Sequence, residues 1–140
     1  MRVITVLAIG LLLQACIALP IPHQHPYSPK LSGSVVDAES KQPVAGAVIR
    51  MESTSTHPPL ENSTTAGEDG SFSVRITKRA LWWALWLGPA EGFCAAHATV
   101  SAPGYAPQSK EFRRFGSASG SGMCAHYAEN WAVALEKTGT

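Results

Sequence analysis

A chain of 140 residues with 15% charged side chains carries less charge than the usual quarter for a globular domain, and its formal net charge is only +1. Eleven basic residues against ten acidic ones, with no basic stripe interleaved with aromatics, argue against nucleic-acid binding, which requires phosphate neutralisation. The length allows one domain with one core and excludes a large catalytic cleft between domains.

Residues 1–15 open with one cation, Arg2, followed by an apolar run over residues 3–13 that only Thr5 and Gly10 interrupt. The run is too short for a bilayer core, which takes about 20 helical residues, and it matches the apolar region of a secretory signal. The competing reading, a buried N-terminal helix, lacks both a cap residue and a polar face. Leu13-Gln14-Ala15-Cys16 resembles the bacterial lipobox. That resemblance implies a lipoprotein signal peptide over 1–15, cleavage before Cys16, lipidation of its sulfur and acylation of the new amino terminus. Gln14 stands where a small residue is more usual, and cleavage after Ala18 is the alternative.

Lipidation would tie the chain permanently to a membrane. Each buried CH₂ contributes about 0.8 kcal/mol, one chain alone anchors only marginally, and a lipoprotein carries three. Ile17 is not the Asp that, by the same resemblance, retains lipoproteins in the inner membrane, so the expected address is the outer membrane, facing the periplasm. Once Arg2 leaves with the signal, ten basic residues (11 − 1) balance ten acidic ones. Residues 16–30 then read as the lipidated Cys and a tether. Pro20, Pro22, Pro26 and Pro29 forbid a helix and favour extended backbone.

Strand signals start at Leu31. Leu31, Gly33 and Val35 alternate with Ser32 and Ser34, a polar turn with Pro43 and Gly46 follows, and Ala47, Ile49 and Met51 alternate again. The two runs read as the first hairpin-like unit. Residues 53–59 read as a loop, and Thr64 and Thr65 lead into an Asp69-Gly70 turn, a strong hairpin signal. Phe72, Val74 and Ile76 form the cleanest alternation. Residues 93–101 and 108–113 read as strands either side of a Pro103-Gly104-Tyr105 turn, residues 116–122 as a Gly/Ser loop, and Trp131, Val133 and Leu135 as the last strand.

Together, Gly33, Val35, Asp37, Pro43, Gly46, Ala47, Ile49, Thr65, Asp69, Gly70, Phe72, Gly104 and Tyr105 resemble the carboxypeptidase regulatory-like domain. The resemblance covers about residues 31–112 and implies an all-β, seven-stranded transthyretin-like (prealbumin-like) β-sandwich. The domain is expected to span 31–137. Its motif positions are turn formers and core residues, so they carry over as fold and not as chemistry. The chain leaves the pattern at 78–92, a Trp-rich insertion with Trp82, Trp83 and Trp86. Those residues either cover an open end of the sandwich or form a partner surface for a protein, a glycan or the bilayer interface, and their spacing suits helix and strand alike.

Candidate chemistry is sparse. Cys94 and Cys124 flank the Gly/Ser loop in an expected exported chain, where disulfides persist, and are expected to pair; two buried thiols are the alternative. His23 and His25 lack a third ligand for a metal. His126 and Glu129 have the spacing of zinc carboxypeptidase ligands, yet the resemblance is to the accessory domain of those enzymes, and a catalytic zinc takes three protein ligands with an open site. No serine nucleophile motif, phosphate-binding loop or dinucleotide fingerprint occurs. The expectation is a non-catalytic binding or assembly module without cofactor or metal, with a membrane and an envelope protein or glycan as partners. The alternatives are a metal-dependent hydrolase using His97, His126 and Glu129, or a purely structural envelope protein.

Overall fold

The computed structural model describes residues 23–54, 57–81, 90–118 and 123–139. They form an all-β structure of nine strands: β1 (His23–Pro26), β2 (Lys30–Asp37), β3 (Val48–Ser53), β4 (Leu60–Thr65), β5 (Ser71–Val74), β6 (Thr77–Leu81), β7 (Ala90–Ser101), β8 (Gln108–Ala118) and β9 (Ala128–Leu135). Seven of them make two sheets, in the orders β5-β2-β9 and β4-β3-β7-β8, while β1 and β6 form a two-stranded ribbon.

The two sheets bury a common core, as alternating residues dictate for a sandwich. Leu31, Val35, Phe72, Val74, Val133 and Leu135 come from one sheet, and Ile49, Met51, Ala98, Val100 and Phe112 from the other. Leu31, Ile49, Met51 and Leu135 are fully buried, which stabilises the fold by roughly 1.5–3 kcal/mol per side chain before chain entropy opposes it. Phe112 meets Trp131 edge-on across the interior, with ring centroids 5.7 Å apart. In β7 the inward positions are small, and Ala98 sits in register with the long Met51 of β3. Small residues there leave volume for the larger neighbour.

Two expected hairpins are instead crossings between sheets. β2 pairs with β5 and β9, whereas β3 pairs with β4 and β7, so the segment between β2 and β3 carries the chain from one layer to the other. The Asp69-Gly70 turn likewise links β4 to β5 in the opposite sheet. Gly70 has φ +74°, and a Cβ there would lie 2.5 Å from the Val35 carbonyl oxygen. Local turn chemistry was legible, but which layer each arm joins is decided by core burial. The strand β4 lies where residues 60–63 show no alternation, since it is an edge strand with mostly exposed side chains.

The chain's first and last sandwich strands are neighbours. β9 runs parallel to β2 over eight pairs, from Lys30↔Ala128 to Asp37↔Leu135. This register defines two ends. At the entry end β2, β7 and β9 begin and β3 and β8 finish; the far end holds the turn after β2, the turn before β5, and the β7–β8 connection.

Part of the Pro-rich segment is built into the entry end. Ser28 and Pro29 are fully buried, the Tyr27 N–H donates to the Ile76 carbonyl at 2.9 Å, and the Ser53 hydroxyl donates to the Tyr27 carbonyl at 2.7 Å. The Ser28 hydroxyl also accepts the Ile76 N–H at 2.8 Å. Through these contacts the antiparallel β2–β5 pairing continues as the β1–β6 ribbon, ending in His23↔Leu81. A tether expected over residues 16–30 therefore gives way to paired backbone from His23 onward.

Candidate functional site

The far end gathers a buried carboxylate. Asp37, 4% exposed, ends β2 and accepts the Glu39 and Ser40 N–H groups on Oδ1 at 2.9 and 2.7 Å. On Oδ2 it accepts the Tyr105 hydroxyl at 2.9 Å and faces the Lys137 ammonium at 3.3 Å. The Ser40 N–H is the largest influence holding the carboxyl well below the usual range; burial opposes it, and Tyr105 adds to the lowering. The same contacts raise Tyr105 and Lys137, in each case mainly through the hydrogen bond to Asp37. Both carboxylate oxygens are thus engaged in closing turns, the role a buried charge needs to be tolerated. This cluster is a structural clamp.

The entry end presents a different surface. β7 and β8 pair without a break from Ala90↔Ala118 to Val100↔Gln108, but β3 accompanies β7 only as far as Ser53↔Ala96. Beyond that point, among the described residues, the hairpin continues as a two-stranded arm. Phe93 and Phe115 are directly opposed on it, with ring centroids 6.2 Å apart, and are 51% and 74% exposed. With Thr54, Ala95 and Arg113 they line a shallow concavity.

Behind the rings the arm is braced. Cys94 is bonded to Cys124, with Cα atoms 5.2 Å apart, and with Tyr127 the pair forms a small second core covered by Met123. The Arg114 guanidinium lies 5.6 Å from the centre of the Tyr127 ring. Burial, then a hydrogen bond with Glu129, raises the Tyr127 phenol. Arg75 donates to the Ala125 and Tyr127 carbonyls, at 3.4 Å each. The arm is fixed from its inner side to the segment that leads into β9, while its outer side carries exposed aromatic surface.

Other residues singled out by sequence are scattered. His97 is exposed on the outer side of β7, in register with Glu52 on β3 and Glu111 on β8. His126 precedes β9, and Glu129 lies within it, in the opposite sheet. Among the described residues no group of three or more His, Cys, Asp or Glu is placed to hold a metal ion. Cys16, Trp82, Trp83 and Trp86 lie outside the described residues. The expected partners Cys94 and Cys124 are joined. Sequence reasoning missed Phe93 and Phe115 as a pair, and the signal lay in the hairpin count: pairing outward from the 102–107 connection sets them opposite one another.

Comparison with known proteins adds little. No protein-family model matches the chain, and no curated protein matches it. Among solved structures, the chain is similar to a 3-chlorocatechol 1,2-dioxygenase from Rhodococcus opacus 1CP at 14% identity, with a TM-score of 0.48 over 89% of this chain. The chain spans 66% of the length of that structure. A likeness at this level carries no argument about activity.

Proposed function

We propose that the chain is a non-catalytic binding or assembly module of a membrane-anchored envelope lipoprotein. In this reading it is a carboxypeptidase regulatory-like sandwich tethered through Cys16 to the outer membrane and facing the periplasm. The observation that carries the proposal is how the N-terminal segment joins the sandwich. Ser28 and Pro29 are fully buried and Tyr27 is bonded to Ile76, so whatever holds residues 1–22 holds the domain by its entry end. The exposed aromatic surface lies at that end, while the buried carboxylate at the other is engaged by its turns. His97 lies in the sheet opposite Glu129, which supports binding over hydrolysis.

The test is recovery of partners from membranes. The acylated chain, cross-linked in the envelope and purified, is expected to bring down one defined envelope protein or glycan. Recovery of lipid alone, or metal-dependent turnover by the purified protein, would overturn the reading. Replacing Cys16 by Ser should move the chain from the membrane to the soluble fraction, and retention in the membrane would refute the anchor.

A further inference from the structure

We propose that the Phe93–Phe115 pair docks into the headgroup region of the bilayer that carries the anchor, holding the sandwich against the membrane by its entry end. The inference rests on the anchor reading above and adds a second, non-covalent contact to it.

Reach supplies the first argument. Seven residues (23 − 16) separate Cys16 from His23, a span of at most about 25 Å when fully extended. His23 is already committed, through its pairing with Leu81, to the ribbon at the entry end. The β7–β8 arm leaves the same end: from Ala96, the last residue beside β3, to Phe93 is three residues, or about 10 Å of strand. The rings therefore lie within the reach of the tether. A lipid-anchored domain cannot lift its arm far from the surface, and slack in the tether lets the ring-bearing part of the arm touch it.

Chemistry supplies the second. Single exposed apolar residues are normal on a soluble domain. Here two phenyl rings are aligned across strands, 51% and 74% exposed, so they present one wedge and not two isolated spots. Arg113 lines the same concavity and is itself exposed, paired with the neighbouring Glu111. An arginine beside aromatic rings can lay its stem along the apolar surface and keep its head among phosphates. The inner side of the arm is occupied by the disulfide, Tyr127 and Met123, whereas the two rings on its outer side are exposed. Bracing from behind matters, because a rigid arm inserts its rings without an ordering cost.

The experiment uses the full acylated chain reconstituted in vesicles of phosphatidylethanolamine and phosphatidylglycerol that carry a headgroup-bound paramagnetic lipid. Amide signals of residues 93–95 and 113–116 are expected to broaden strongly, and those of Asp37 and Tyr105 at the far end to stay sharp. In the double variant Phe93→Ser/Phe115→Ser the broadening at the tip should fall, on the order of tenfold in bound population, while Phe115→Trp should keep it. Equal broadening at both ends, or an unchanged pattern in the double variant at an unchanged unfolding midpoint, would overturn the proposal. Mass spectrometry of Cys16 reads the anchor separately. An acylated Cys16 with no tip broadening removes the docking and leaves the anchor, whereas tip broadening with an unmodified Cys16 upholds the docking and removes the anchor.

Discussion

The Tyr105 hydroxyl donates to Asp37 Oδ2 across 2.9 Å, although the two residues are 68 apart in the chain. The bond ties the end of β2 to the β7–β8 connection, and Lys137 completes it from the C-terminal segment at 3.3 Å. Because the Asp37 carboxyl is depressed below its ordinary value of 3.8, the charged form is the one the fold favours. Its contribution to stability is complete above the unfolded value and is lost as pH falls through the folded one. Urea midpoints of the wild type and of Asp37→Asn should therefore differ by a constant amount from neutrality down to about pH 5, then converge below about pH 4. Lys137 is raised above 10.5 by Asp37, so its contribution is present below that value and disappears as pH climbs through the folded one. The gap between wild type and Lys137→Gln should close in strong alkali, and also in acid once Asp37 is protonated. Gaps that ignore pH would show that the charges are not what the clamp uses.

Reducing the Cys94–Cys124 bond should weaken the domain without unfolding it. The bridge closes a separation of 30 residues, which corresponds to about 3–4 kcal/mol on the loop-entropy estimate. The main core lies elsewhere and includes neither cysteine. Paired urea titrations with and without reductant should show that loss as a lower midpoint. Hydrogen exchange should localise the loosening to residues 93–95 and 123–127. Exchange accelerating equally in β2 and β3 would mean that the small cluster is part of the global folding unit.

What the chain disclosed depended on whether a residue's partner was local. β3 and β5 alternate between buried and exposed positions, and their strand character could be read directly from Ile49, Met51, Phe72 and Val74. β4 could not be read this way, because an edge strand with solvated side chains leaves no period. Phe115 was obscured for a related reason. Gly116 and Ser117 look like loop, but pairing with Gly92 and Glu91 overrides that preference. Lys137 carries no local signal at all. It meets Asp37 because β9 runs parallel to β2 with Asp37 opposite Leu135, a register in which Leu31 and Val35 of β2 and Val133 and Leu135 of β9 all face the core.

Gly70 and Gly104 should respond very differently to the same substitution. Both have positive φ, +74° and +82°, so an alanine costs each the left-handed backbone penalty of about 1–2 kcal/mol. A Cβ at Gly104 meets nothing within 4 Å, whereas at Gly70 it lies 2.5 Å from the Val35 carbonyl and 3.1 Å from Pro43. The Val35 N–H is also bonded to the Gly70 carbonyl at 2.9 Å, so this turn cannot shift without disturbing β2. Gly70→Ala should lose clearly more than Gly104→Ala in thermal unfolding. Equal losses would mean that the corner yields and the close approach is not a constraint.

A final pair of variants separates core from surface on a single strand. Met51 is fully buried, and Met51→Ala should cost about 2–5 kcal/mol, since Ala98 beside it is too small to fill the space. Arg50, one residue earlier, points outward to Glu61 on β4, with side chains 66% and 47% exposed. Exposed pairs are screened by water and salt, so Arg50→Ala should cost no more than about 1 kcal/mol. Adding salt should erase most of that cost and leave the Met51→Ala cost unchanged. Chemical unfolding at low and high ionic strength measures both. A large, salt-independent loss for Arg50→Ala would show that its stem, in the groove it lines with Val48 and Asn62, holds β4 to the sheet by packing and not by charge.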